Sequence, residues 1–153
     1  MRRTGIIAAA LAAGTMLMAA PASAGSRDEA EKLRKLDIML MVTSLRCRLT
    51  NENFQADFQR FEATHMGELN NASRELREGM VVRYGAQGAT RALDRMSTTM
   101  ANQYGQGHPW LGCAELKSVT RILTRAQGRA ALVEAADQLL APENRGQLAL
   151  AGQ

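Results

Sequence analysis

The sequence is poor in aromatic residues, with three Phe, two Tyr and one Trp among 153 residues, and no aromatic stands among the basic residues as a single-strand nucleic-acid binder requires. It holds three prolines, and Pro21, Pro109 and Pro142 each stand at an expected boundary rather than inside a periodic segment. Lysine is scarce as well. Only Lys32, Lys35 and Lys117 occur, so most of the positive charge is arginine, whose planar fork suits carboxylate and phosphate. No H-E-x-x-H, G-x-S-x-G or P-loop is present, which excludes those routes to metallohydrolase, serine hydrolase and nucleotide chemistry. Gly105-Gln106-Gly107 opens like a dinucleotide-binding turn but lacks the third glycine and the preceding strand, so it is not one. No strand-like alternation of useful length and no internal repeat is found.

What is there begins with an export pattern. Arg2 and Arg3 precede an apolar or small run from Ile6 to Ala20, and Pro21-Ala22-Ser23-Ala24 closes in the small-x-small form that a signal peptidase accepts. The run is shorter than the roughly 20 residues a spanning helix needs. The chain is therefore expected to divide into a signal peptide at 1–24, a helical domain at 25–141 and a frayed tail at 142–153, and to be periplasmic or secreted after cleavage near Ala24. Loss of Arg2 and Arg3 takes two charges from the formal net charge of +4. No later run is apolar enough to cross a bilayer, so the processed protein is expected not to span a membrane and not to bind nucleic acid.

Cys47 and Cys113 are the only cysteines. An even count in an oxidising compartment predicts a disulfide between them. No C-x-x-C serves thiol exchange and no histidine pair joins the two cysteines, so no metal site is expected.

Helical periodicity runs through the domain. Ser26 and Glu29 have capping-box spacing and predict a first helix from about Ser26 to Cys47, with Leu33, Leu36, Leu40 and Thr43 on its buried side and its second half the most buried part of the fold. Asp28 with Lys32 and Glu31 with Lys35 are expected to pair along its first turns. Phe54, Phe58, Phe61, His65, Leu69, Ala72, Leu76 and Met80 mark a second helix, ending at a left-handed Gly85. Ala89, Leu93, Met96, Met100 and Tyr104 mark a third, closed by Gly105. A fourth starts at Cys113 with Leu116, Val119, Thr120 and Leu123, and Leu132, Ala135, Ala136 and Leu139 suggest a fifth. Gly128 either separates these two or weakens one continuous helix.

Three groups are candidates for function. The loop Gly105–Gly112 carries His108, Pro109 and Trp110, and His108 is the one candidate catalytic group. The structural alternative is that Pro109 and Trp110 plug the bundle end while His108 caps a neighbouring helix. Lys117, Arg121, Arg125 and Arg129 repeat every four residues and would form a basic ridge for an anionic partner, or a solvated face paired with Asp28, Glu29 and Glu31. His65 lies on an apolar stripe, where a satisfied core histidine competes with an axial haem ligand paired with a methionine.

The strings LDIMLMVTSLRCR (36–48), NFQADF (53–58) and ANQYGQGHPWLGC (101–113) resemble a group of short exported bacterial helical proteins of unassigned role. Members of that group sometimes carry the name S-adenosyl-L-homocysteine hydrolase. The true hydrolase is a large cytoplasmic NAD enzyme with a Rossmann domain, and none of its catalytic residues falls on these positions. The resemblance implies an exported helical protein and carries over no catalytic residue.

The residues thus predict an all-α fold, a compact bundle of four or five helices with one disulfide, holding neither cofactor nor metal. The expected role is a non-enzymatic binding or structural protein of the envelope, meeting an anionic envelope component or a protein partner through the ridge or the loop. The alternative is a small hydrolytic or ligand-binding activity centred on His108.

Overall fold

The computed structural model of the chain describes residues 22–140. The expected tail and almost all of the expected signal lie outside the described residues. Four helices are present, α1 (Ala22–Cys47), α2 (Gln55–Tyr104), α3 (Cys113–Leu123) and α4 (Gly128–Leu140), and no strand occurs among the described residues. The fold is all-α, as the periodicity predicts.

Helix α1 packs against each of the other three. That position explains its composition, because Ala30, Leu33, Leu36, Ile38, Met39 and Leu40 are all buried and cover more than one face. Each large side chain so buried is worth roughly 1.5–3 kcal/mol relative to exposure. Thr43 is also buried, and its hydroxyl donates to the Met39 carbonyl at 2.7 Å, so no polar group is stranded there. The helix does not start at Ser26. It begins at Ala22, so Ser26 lies within it, and its hydroxyl donates to Glu75 at 2.9 Å instead of capping. The pairs Asp28–Lys32 and Glu31–Lys35 form as spaced.

The turn after Cys47 is closed by Thr50, whose N–H and hydroxyl both donate to the Cys47 carbonyl. Asn53 Oδ1 then accepts from the Gln55 N–H at 3.0 Å and starts α2. The stripe of Phe54, Phe58, Phe61, His65, Ala72 and Leu76 is buried, followed after the bend by Ala89, Met100 and Tyr104. If α2 were straight, Leu76 and Tyr104 would stand about 42 Å apart. Instead Leu76 borders Arg27 and Glu31 while Tyr104 borders Glu31 and Lys35, so the segment after Gly85 returns along α1. Gly85 makes the reversal with φ 69° and ψ 171°. This differs from the expected left-handed helical cap, since positive φ with extended ψ is open essentially to glycine alone. The expected second and third helices are therefore the two arms of α2.

Helices α3 and α4 are separate. Helix α3 ends at Leu123, and Gly128 begins α4 at φ 76°. The Cys47 and Cys113 sulfurs are bonded at 2.00 Å, tying the end of α1 to the start of α3 across a sequence separation of 66. On the chain-entropy account, closing such a loop contributes roughly 4 kcal/mol.

Open space surrounds Gly85, so a side chain there is opposed by backbone conformation and not by a neighbour. Gly85→Ala should lower unfolding free energy by about 1–3 kcal/mol in urea titration, with helical circular dichroism retained. An unchanged midpoint would show that this dihedral does not set the bend.

Candidate functional site

The 105–112 loop and its histidine are built into the core. His108 is buried between Tyr104, with ring centroids 5.7 Å apart, and Trp110, at 4.6 Å and nearly perpendicular. Its Nε2–H donates to the Leu139 carbonyl at 3.0 Å, and its Nδ1 accepts from the Trp110 N–H at 3.5 Å. Leu139 lies in the last turn of α4, whose carbonyls have no partner within the helix. His108 therefore caps α4. The other histidine does the same for α3, since buried His65 donates from Nε2 to the Leu123 carbonyl at 2.8 Å and packs on Phe61 at 5.1 Å. Each histidine follows an aromatic residue by four positions and closes the end of a short helix. Chemistry at His108 would first have to release a helix end.

The basic ridge is not one helix face, because the break between Leu123 and Gly128 puts Arg125 in a connection and Arg129 on α4. Lys117 reaches Glu52 at 3.2 Å and Arg121 reaches Asp57 at 3.1 Å, both across to the start of the α2 region. Arg129 is the most engaged. Its fork grips both carboxylate oxygens of Glu75 at 2.8 and 2.9 Å, and it also donates to Glu29 and to the Ser26 carbonyl at 3.1 Å each. These hydrogen bonds hold the Glu75 carboxyl below its ordinary range and raise Arg129 further. The expected pairing with Glu29 occurs, whereas Asp28 and Glu31 are taken by Lys32 and Lys35.

The groove between α1, α4 and the second arm of α2 is similarly occupied by its own charges. It has a volume of about 300 Å³ and an apolar floor that includes Met100, Tyr104 and Leu140, while Lys32 bridges Asp28 and Asp137 at its rim. The hydrogen bonds that Lys32 donates to these two acids push its ammonium up, and burial pushes the Tyr104 phenol up.

The opposite situation holds at the disulfide-tied end. Between Asp37 and Glu52 the only charged residues are Arg46 and Arg48, and between Arg95 and Glu115 there is no acidic or basic residue except His108. The disulfide brings these two segments together. Arg46 lies against the second one, where a Cβ placed on Gly107 would meet its Nε at 3.2 Å. Met41 and Leu45, on the last turns of α1, and Leu49, in the turn just beyond it, are 38, 43 and 89% exposed. The expectation that this half of α1 is the most buried region thus fails on one side, which no helix among the described residues covers. An open groove of about 420 Å³ beside them is lined by Val42, Leu45, Arg46, Arg48, Leu49 and Gly105. Arg46 also sits in the final turn of α1, where a cation complements the helix dipole. No acid among the described residues pairs with Arg46 or Arg48.

Among the described residues no group of three or more acids, histidines or cysteines could hold a metal ion, and no helix is long and apolar enough to cross a membrane. No family model matches the chain, and no curated protein or solved structure matches it at a significant level.

Asp37, on α1, was not singled out by any motif. Its Oδ2 accepts from Arg34 at 3.2 Å, but its Oδ1 is buried without a partner. Burial pushes its carboxyl up to about 6 from 3.8, with Glu62 adding to the rise and Arg34 opposing it. An acid whose pKa is raised by folding gives its full support below the unfolded value and loses it as pH rises through the folded one. Two pH units correspond to at most about 3 kcal/mol. Asp37→Asn should therefore stabilise the protein by about 1–2 kcal/mol at pH 7 and by little at pH 4, measured as urea midpoints across that range. A gain of equal size at both pH values would contradict the assignment.

Proposed function

We propose that this chain is a small exported helical binding protein of the cell envelope, and that it meets its partner through the disulfide-tied end of the bundle and without catalysis. The observation that carries this reading is the exposed stripe of Met41, Leu45 and Leu49 beside two arginines that no described acid answers. Large apolar side chains gathered on a surface at helical spacing mark interaction sites more often than scattered ones do. The N-terminal export pattern and the resemblance to exported helical proteins support the location. The cations expected to form the ridge are mostly committed to acids on α1 and around the start of α2, which favours the end face over the ridge. His108 is spent on capping α4, so nothing in its surroundings favours the hydrolytic alternative.

Fractionation of cells expressing the tagged chain tests this. The product should have the intact mass of a chain starting at Gly25 and should be retained with the envelope. Leu45→Asp/Leu49→Asp, which alters partly and largely exposed positions, should release it into the periplasmic extract with an unchanged melting temperature. A wild-type protein wholly free in that extract, or a variant retained as well as wild type, would overturn the reading.

A further inference from the structure

The apolar side chains of the disulfide-tied end are not exposed evenly. Exposure rises along α1 from 38% at Met41 and 43% at Leu45 to 89% at Leu49, which stands in the turn just beyond the helix. Met41 and Leu45 lie about 6 Å apart along the helix axis, and Leu49 lies beyond its end. The stripe is thus a tapering tip and not a flat seam. A flat seam would suit a partner helix laid along it, whereas a tip of this kind buries its apex best by entering a layer.

Charge narrows the occupant further. Arg46 and Arg48 flank the tip, and the neighbouring 105–112 loop contributes Pro109, Trp110 and Leu111 with no acid. A second copy of the chain related by a two-fold axis would set arginine against arginine with no carboxylate between them. A surface dense in phosphate answers both arginines at once, and an apolar apex flanked by cations suits the boundary between headgroups and acyl chains.

We propose that the disulfide-tied end docks on the surface of a bilayer containing anionic phospholipid. Leu49 enters the boundary between headgroups and acyl chains, with Leu45 and Met41 behind it, and Arg46 and Arg48 meet the phosphates. This names the partner for the binding surface proposed above and rests on that reading. The disulfide has a part in it. By fixing Cys47 to Cys113 it holds the start of α3, and the loop that precedes it, at the end of α1.

Sedimentation of the purified exported protein with vesicles tests the inference. The protein should bind vesicles of phosphatidylcholine mixed with phosphatidylglycerol, bind phosphatidylcholine alone far more weakly, and be released as salt is raised. At about fivefold per cation near such a surface, Arg46→Gln/Arg48→Gln should lower the partition coefficient about thirtyfold. Leu49→Asp should lower it at least about tenfold, with Leu49→Ser as a milder variant and circular dichroism confirming that both fold. Val82→Asp, at the exposed Val81–Tyr84 patch beside the Gly85 bend, should leave binding unchanged. No binding to the anionic vesicles, equal binding to both kinds, or loss with Val82→Asp but not with Leu49→Asp would each overturn the proposal. If vesicles fail while envelope retention persists and still requires Leu45 and Leu49, the lipid assignment falls and the binding surface stands. Failure of both removes both.

Discussion

Helix α1 has to bury side chains against three neighbours at once, and most of the structure follows from that demand. A helix so placed must be apolar around much of its circumference, which is why Leu33, Leu36, Ile38, Met39 and Leu40 are all enclosed. The same apolar character continues past the point where neighbours remain to cover it. Met41, Leu45 and Leu49 lie on the side left open at the end of the bundle, and there the chain places arginine and uncharged loop residues in place of ion pairs.

Elsewhere several charges are answered close at hand. Arg129 joins α4 to Glu29 on α1 and Glu75 on α2, and Lys32 joins Asp28 to Asp137 on α4. Partly exposed pairs of this kind add little stability individually, but they occupy the cations that an anionic partner would otherwise meet. The two histidines serve the same internal economy, each closing the carbonyl end of a short helix from a site beside an aromatic ring. Asp37 on α1 is the exception, a half-buried residue with one carboxylate oxygen unanswered and its carboxyl pushed up by burial.

Much of this fold was legible in residue spacing. The buried stripes from Phe54 to Leu76 and from Ala89 to Tyr104 and the Cys47–Cys113 bond follow from periodicity and cysteine count, whereas at Gly128 spacing left two alternatives and the structure has the break. The start of α1 was misplaced because Ser26 satisfies capping-box spacing, while its hydroxyl is claimed by Glu75, a partner distant in sequence. The ridge was misread for a related reason: a spacing of four implies one face only while the helix is continuous, and it stops at Leu123. The end face was missed although its signal was present. Two stretches, 38–51 and 96–114, contain no acid, and the disulfide expected from the cysteines joins them. The expectation that the second half of the first helix is the most buried part of the fold did not separate its sides, because an apolar run cannot tell which of them have neighbours.

The contact proposed is made by the disulfide-tied end and not by the arginines of α3 and α4. Amide hydrogen exchange of the purified protein with and without anionic vesicles, resolved by peptide, tests it most directly. Slowed exchange confined to the turn at 48–53 and the loop at 105–112 is the predicted result. Bound protein whose only slowed peptides lie between Lys117 and Arg129 would contradict it.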